Sequence, residues 1–198
     1  MANNPLDTTL LDKAIQYAVN AHANTERRGK GYPYIVHPME AVSIVASITP
    51  DQELLAAAAL HDVVEDCGCS IEEIRREFGN RVADLVDDES EDKMTHLSET
   101  ESWRMRKEAA IRHLAHASHD AKIVALGDKL SNMRAIAADY EQLGDRLWDR
   151  FHAPNGKPDH EWHYRLLAEA LSELSSTRAF KELCQHIQFV FGLDCSKK

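Results

Sequence analysis

The sequence has no apolar run long enough to cross a bilayer. Its longest uninterrupted apolar stretch covers residues 54–60, whereas a membrane helix needs about 20 such residues. The first residues, Met1 to Asn4, also lack the charged and apolar regions of a secretory signal. These absences predict a protein that has no membrane partner and works in the cytoplasm.

Positive charge is scarce as well. The 198 residues carry 23 basic and 33 acidic side chains, which gives a formal net charge of −10. A nucleic-acid binder needs a basic face to neutralise phosphates, so this balance argues against that class of partner. It does not exclude a small phosphorylated ligand, because a local group of Arg and Lys, or one bound cation, reverses the charge inside a pocket.

The four cysteines do not form a zinc-binding pattern. Cys67 and Cys69 are separated by one residue rather than two, and Cys184 and Cys195 supply no second pair with the required spacing. We therefore expect free thiols in a reducing compartment. Histidine is the notable residue type instead, with 11 in the chain.

Alternating β-branched residues, which are typical of strands, are also missing. Apolar residues recur instead at every third or fourth position, and this spacing predicts helices. The predicted helical segments are residues 10–19, 41–48, 54–64 and 111–114. We predict an all-α fold, a single helical bundle of roughly 8–10 helices.

Several residues indicate where these helices begin and end. Ser70, followed three residues later by Glu73, is typical of a helix start. Gly79 separates two helical segments, and loops are predicted at residues 27–33 and 151–160, which are rich in glycine and proline. The second loop is expected to lead into a final pair of helices.

Residues 56–66, with the sequence AAAALHDVVED, carry the densest group of chemically active side chains. The alanines keep the helix slim enough to lie among other helices, and the segment ends in His61, Asp62, Glu65 and Asp66. At about 100° per residue these four fall on one continuous face. Ionisable groups directly after a buried run are unfavourable unless a partner compensates, and a divalent cation does so. Further ligands must then come from elsewhere in the chain.

Two other segments supply candidate ligands. His37 lies in the rigid stretch PYIVHP just before a helix, and Asp128 is a carboxylate in an otherwise apolar helix. Asn132 shares the face of Asp128 one turn later. Each residue alone has an ordinary explanation as a hydrogen-bonded or ion-paired side chain. The joint pattern of His37 and Asp128 with the His61–Asp62 pair predicts a metal site.

These residues resemble the HD-domain metal phosphohydrolases, and longer segments narrow the resemblance to the hydrolase domain of RelA/SpoT proteins. The matching segments are YPYIVHP at 32–38, LHDVVED at 60–66, EFGNRVADLV at 77–86 and GDKLSNMR at 127–134. The match runs from about residue 7 to 175, so we expect no synthetase or regulatory domain beside it. The sequence therefore resembles the stand-alone small alarmone hydrolases, a group that includes metazoan SpoT-like enzymes. The resemblance implies one HD phosphohydrolase domain over residues 1–198.

The resemblance also implies a role for each matching residue. Binding of one Mn²⁺ is implied for His37, His61, Asp62 and Asp128. Activation or positioning of the attacking water is implied for Glu65 and Asp66. Contacts with the nucleotide are implied for Arg27, Arg28, Asn132 and either His163 or Tyr164. Because the substrate is a polyanion, further cationic contacts are expected from Lys30, Arg106 and Lys107.

The implied activity is hydrolysis of the 3′-pyrophosphate of guanosine tetra- and pentaphosphate, which yields GDP or GTP plus pyrophosphate. Two imidazoles and two carboxylates suit Mn²⁺, and Fe²⁺, Co²⁺ and Zn²⁺ also fit such a set. Thr25 stands where the family often has Gln, and the loop at residues 29–31 differs from common versions. Both lie near the nucleotide in the family, so the base preference stays open.

Other functions stay open beside this one. The same fold acts on related phosphate esters, such as the adenosine analogue of the alarmone or the 2′-phosphate of NADPH. A nucleotide-sensing module without catalysis and a helical interaction protein are further alternatives, but a pure sensor has no use for Glu65 and Asp66. A cyclic-dinucleotide phosphodiesterase is disfavoured because no Gly-Tyr-Pro motif follows the His-Asp pair. The helices do not indicate an oligomeric state.

Overall fold

The chain folds almost wholly into helices in the computed structural model, which describes residues 6–90, 94 and 96–195. Within these residues the backbone forms ten α-helices, and its β-structure is limited to an isolated bridge between Glu26 and Pro33. The predicted all-α fold is confirmed. Among the same residues, no helix has both the length and the apolarity needed to cross a bilayer.

The chain divides into two compact units, residues 1–90 and 91–198. The prediction of a single domain over the whole chain stays a prediction. The first unit contains α1 (Thr9–Ala21), α2 (Val36–Ala46), α3 (Gln52–Leu60), α4 (Val63–Cys67), α5 (Ile71–Phe78) and α6 (Asn80–Glu89).

Helix α3 is the central element of the first unit. It packs against α1, α2 and α6, and every residue from 54 to 60 is at most 5% exposed. The four alanines at 56–59 have no exposed surface at all. Their small side chains let three helices approach one axis closely, which confirms the interpretation of this segment as a slim, buried helix.

The predicted boundaries around α5 are also confirmed. The Ser70 hydroxyl accepts a hydrogen bond from the backbone N–H of Glu73 at 3.1 Å, so it caps the start of α5. Gly79 has a φ of +90°, a backbone conformation that favours glycine, and it separates α5 from α6.

The chain leaves regular helical geometry at His61 and Asp62. Periodicity predicted one helix through this pair, but α3 ends at Leu60 and α4 begins at Val63, so that prediction is wrong here. Neighbouring side chains on a regular helix point about 100° apart. The turn instead brings the Nε2 atom of His61 to 2.9 Å from the Oδ2 atom of Asp62.

The second unit contains the remaining helices. They are α7 (Glu99–His116), α8 (His119–Leu143), a 3-10 helix (Gly144–Arg150), α9 (Lys157–Ala170), a shorter 3-10 helix (Ser172–Leu174) and α10 (Arg178–Phe191). Helix α10 packs against α8 and α9, and α9 also packs against α7. The loop predicted at 151–160 is wrong from residue 157 onward. Pro158 lies in the first turn of α9, where the missing N–H of proline removes no helical hydrogen bond.

His160 lies in an aromatic cluster inside the second unit. Its ring centroid is 4.7 Å from that of Phe151, 5.1 Å from Trp148 and 5.3 Å from Trp103. Its Nε2 atom is buried and has no hydrogen-bond partner in the described part of the chain. Burial, assisted by the charge of Lys107, lowers the pKa of His160 to about 4.

We expect a His160→Phe variant to resist mild acid better than the wild type. The unfolded chain takes up the His160 proton near the ordinary pKa of 6.5, whereas the folded chain does so only at about 4. The stability that depends on neutral His160 is therefore complete above pH 6.5 and is lost as the pH falls towards 4, by about 3 kcal/mol in total. Urea unfolding at a series of pH values should show a smaller loss of stability in the variant.

The exposed His116 of α7 provides the control. A His116→Phe variant should keep the wild-type dependence of stability on pH. If the two variants lose stability in parallel between pH 7 and pH 4.5, His160 is not the source of the acid sensitivity.

A candidate metal centre and its surroundings

Three side chains of the first unit direct donor atoms towards one another. His37 lies in the first turn of α2, and His61 and Asp62 form the turn between α3 and α4. The Nε2 atoms of the two histidines are 3.2 Å apart. The Oδ2 atom of Asp62 lies 2.9 Å from Nε2 of His61 and 3.4 Å from Nε2 of His37. Both imidazoles are buried, at 4% and 2% exposure, and the Asp62 side chain is 17% exposed, so these atoms form a largely buried triangle of potential ligands.

The protonation of His61 suits metal binding. Its Nδ1 atom is 2.9 Å from the carbonyl oxygen of Ala58. A carbonyl oxygen only accepts hydrogen bonds, so Nδ1 carries the proton and Nε2 offers its lone pair. A cation with ligand bonds of about 2.1 Å holds neighbouring donor atoms roughly 3 Å apart. The edges of the triangle match that spacing, and its donors fit a divalent transition metal.

Tyr34 holds the Asp62 carboxylate in place. Its hydroxyl donates a hydrogen bond to Oδ2 of Asp62 at 2.7 Å. Its ring stacks on His22 at 4.7 Å and meets the edge of His37 at 5.8 Å. Burial and the charge of Asp62 raise the pKa of Tyr34, so the hydroxyl keeps its proton and stays a donor. The role of Tyr34 was not predicted from the sequence, because its contact with Asp62 spans 28 positions.

The three basic candidates of the first unit lie in the loop between α1 and α2. The guanidinium of Arg27 lies over the ring of Tyr34, 5.1 Å from its centroid, which is a cation–π contact. Arg27 therefore contacts the same tyrosine whose hydroxyl holds Asp62. Arg28 is exposed and Lys30 is half-buried, so the positive charges of this loop also face the solvent.

Glu65 and Asp66 lie on α4, directly after the His61–Asp62 turn. Glu65 is half-buried and Asp66 is exposed. The backbone N–H of Asp66 donates to the carbonyl oxygen of Asp62 at 2.9 Å, which ties the start of α4 to the turn. The two carboxylates therefore follow the triangle within one helical turn, where a water-activating pair is expected.

Asp128 is a buried carboxylate within α8 of the second unit. Its Oδ1 atom accepts a hydrogen bond from the amide of Asn132, and its Oδ2 atom pairs with the ammonium of Lys129, both at 2.5 Å. Asn132 therefore orients Asp128. The expected contact between Asn132 and the nucleotide stays a prediction.

The remaining candidates lie on α7 and α9 of the second unit. His163 and Tyr164 are buried, and the ring of Tyr164 stacks on Phe191 at 5.8 Å. Burial and the charge of Lys107 hold the pKa of His163 well below its ordinary value, so this imidazole is neutral. Arg106 and Lys107 are both half-buried. Contacts between these four residues and a substrate stay predictions.

Known proteins are similar to this chain in sequence and in structure. The family described as "HD domain" matches residues 14–153. The chain is 36% identical over 137 residues to guanosine-3′,5′-bis(diphosphate) 3′-pyrophosphohydrolase MESH1 of Danio rerio. The aligned region covers 67% of this chain and 72% of that protein. The protein of the same name from Xenopus tropicalis is 36% identical over 134 residues, covering 66% and 71%.

A solved structure is similar over nearly the whole chain. It is described as a metazoan ortholog of SpoT that hydrolyzes ppGpp and plays a role in starvation responses. The TM-score is 0.72 at 25% identity, and the similarity covers 93% of this chain and 97% of the other.

Proposed function

The chain belongs to the HD-domain family of phosphohydrolases, and we propose from this premise that it hydrolyses guanosine tetra- and pentaphosphate at the 3′-pyrophosphate. The products are GDP or GTP and pyrophosphate. The observation that carries the proposal is the triangle of His37, His61 and Asp62 followed directly by two carboxylates. The most similar relatives named above are 3′-pyrophosphohydrolases of the same nucleotide.

We propose that His37, His61, Asp62 and Asp128 hold one Mn²⁺. Two imidazoles and two carboxylates form a set of intermediate hardness, which suits Mn²⁺ and also Fe²⁺, Co²⁺ or Zn²⁺. When bound, such an ion neutralises phosphate charge and lowers the pKa of water. Asn132 and Tyr34 each hold one of the carboxylates by a hydrogen bond, and this fixes the orientation of the ligands.

Protein side chains accept the proton that water loses and neutralise the negative charge of the substrate. Hydrolysis adds water across the bond between the ribose 3′ oxygen and phosphorus. The pair of Glu65 and Asp66 accepts the proton that the water loses, and the ribose oxygen takes up a proton as it leaves. Because two neighbouring carboxylates share their proton affinity, we assign this role to the pair.

Phosphate oxygens need cationic partners, since the substrate is a polyanion. Within the first unit these are Arg27, Arg28 and Lys30, whose loop lies beside Tyr34. In the second unit we propose contacts from Arg106, Lys107, Asn132 and either His163 or Tyr164. The substrate is then a small phosphorylated nucleotide, which we expect the protein to meet in the cytoplasm.

A panel of substrates tests the proposed function. The full-length protein is incubated with Mn²⁺, and then with excess chelator, on guanosine tetraphosphate, its adenosine analogue and NADPH. We expect chelator-sensitive release of pyrophosphate from the guanosine nucleotide at the highest kcat/KM. Release of phosphate from NADPH alone, or binding of nucleotide without any hydrolysis, would replace the proposed function with one of the alternatives above.

We expect a Tyr34→Phe variant to bind Mn²⁺ about 10–100-fold more weakly, because the change removes the hydrogen bond that holds Asp62. The ring and its stacking on His22 are kept, so the fold should be retained. Calorimetric titration of Mn²⁺ into the metal-free protein measures the effect without any substrate.

Tyr17 provides a matched control for this prediction. Its hydroxyl also donates to a carboxylate, Oε1 of Glu73, at 2.8 Å, but it lies outside the triangle. A Tyr17→Phe variant should bind Mn²⁺ like the wild type. Equal affinities for all three proteins would mean that Tyr34 does not position the metal ligand.

A further inference from the structure

The thiol of Cys67 lies beside an imidazole in the first unit. Cys67 is the last residue of α4, and its Sγ atom is 3.1 Å from Nδ1 of His22. His22 is buried, and its ring is held by stacking on Tyr34. The Nδ1 atom of His22 lies where it can accept the thiol proton. An imidazole in contact with a thiol is the arrangement that activates cysteine as a nucleophile.

A second thiol lies two residues away. Cys69 forms a side-chain hydrogen bond with Tyr17 of α1, and both cysteines are half-buried rather than enclosed. Gly68 between them has a φ of +72°, the mirror image of a right-handed helical residue. That conformation holds the flanking Cα atoms about 5.4 Å apart, inside the range of about 4.4–6.8 Å that a disulfide spans.

We propose that Cys67 and Cys69 form a reversible redox modification site that reacts with hydroperoxides. In the first step, the Cys67 sulfur attacks the peroxide, an S–O bond forms and the O–O bond breaks. The Cys67 proton passes through His22 to the departing oxygen, so Cys67 becomes a sulfenic acid and the peroxide is reduced to an alcohol or water.

In the second step, the Cys69 sulfur attacks the Cys67 sulfenic acid. The S–S bond forms, the S–O bond breaks, and the departing hydroxide takes the Cys69 proton and leaves as water. In total, two thiols and one hydroperoxide yield one disulfide, one water and one alcohol. A dithiol reductant reverses the modification by thiol–disulfide exchange.

The disulfide alters the helix that carries Glu65 and Asp66. Closing the bond requires both thiols to leave their contacts with His22 and Tyr17, and it constrains the left-handed turn at Gly68 that ends α4. We therefore expect oxidation to lower hydrolysis at least tenfold. This consequence rests on the proposed function, whereas the oxidation itself does not.

Two double variants of the full chain isolate the site. Cys184→Ser with Cys195→Ser leaves Cys67 and Cys69 as the remaining thiols, and Cys67→Ser with Cys69→Ser leaves the other pair. Cys184 and Cys195 hydrogen-bond each other, and that bond lowers the pKa of Cys195, so this pair is the comparison for thiols activated by each other rather than by His22. After treatment with hydrogen peroxide, peptide mass spectrometry should find the Cys67–Cys69 disulfide in the first variant, and it should form at least fivefold more slowly once His22 is replaced by Gln.

Single substitutions assign the steps. A Cys69→Ser variant should accumulate a sulfenic acid on Cys67 that a sulfenic-acid-specific probe labels. A His22→Gln variant, checked for folding by circular dichroism, should react with peroxide at least fivefold more slowly. The proposal is overturned if Cys67 stays reduced in millimolar peroxide, or if the His22→Gln variant reacts as fast as the wild type.

The effect of oxidation on hydrolysis is measured separately from disulfide formation. Loss of pyrophosphate release on oxidation, with recovery after dithiothreitol, supports the switch. A complete disulfide with unchanged hydrolysis overturns the switch. Absence of hydrolysis in the reduced protein instead counts against the proposed function, because the mass measurement is made without any nucleotide.

Discussion

An Asp62→Asn variant is expected to lose both metal binding and hydrolysis while keeping its fold. The change replaces one carboxylate oxygen by an amide group of nearly the same size, so packing around the turn is preserved. It removes the negative charge and one donor atom from the triangle formed with His37 and His61. Loss of a bound cation removes about 4 kcal/mol of transition-state stabilisation, which lowers kcat/KM about 10³-fold.

Two measurements separate the parts of this prediction. Calorimetric titration reports the affinity for Mn²⁺, and pyrophosphate release reports catalysis. The matched control is Asp84→Asn on α6 of the same unit, where the carboxylate pairs with Arg75 in solvent and contributes at most about 1 kcal/mol. An Asp62→Asn variant that still binds Mn²⁺ as tightly as the control would contradict the assignment of Asp62 as a ligand.

The sequence predicted the elements whose formation depends on local pattern. Four consecutive alanines in α3 indicated a helix surrounded by others, and residues 54–60 of that helix are buried. Ser70 and Gly79 marked the ends of α5 because capping and left-handed backbone depend on the residue itself. Such signals are readable since they involve only neighbours in the chain.

The sequence was less informative where geometry depends on distant contacts. Helical periodicity continues through His61 and Asp62, so it could not show that the chain turns there and brings their donor atoms together. The hydroxyl of Tyr34 reaches Asp62 across 28 positions of sequence. A hydrogen bond of that kind leaves no periodic trace in the sequence, and for this reason Tyr34 was missed.

The start of α9 shows a different limitation. Glycine and proline at 154–158 favoured a loop through His160, yet the helix begins at Lys157. Proline interrupts a helix in its interior but is well tolerated in the first turn. Composition alone does not distinguish these two positions. The packing of α9 against α7 and α10 favours the earlier start, because it buries His160 and His163.

A Glu65→Gln variant is expected to bind Mn²⁺ normally and to hydrolyse guanosine tetraphosphate roughly 10²–10⁴-fold more slowly, the range typical of lost general acid–base catalysis. Gln keeps the size and hydrogen bonding of Glu65 but cannot accept the proton from water. Asp66→Asn should have an effect of similar direction. If the two carboxylates act as one pair, the double variant should be little slower than the worse single variant.

The separation of binding from catalysis is what makes this prediction specific. Glu72 on α5 is exposed in the same unit, and a Glu72→Gln variant should retain both properties. A Glu65→Gln variant that also loses Mn²⁺ would make Glu65 a ligand, and the donor set would then be more carboxylate-rich than the triangle indicates. Unchanged hydrolysis would instead assign the proton transfer to Asp66 alone, because no other carboxylate lies on α4.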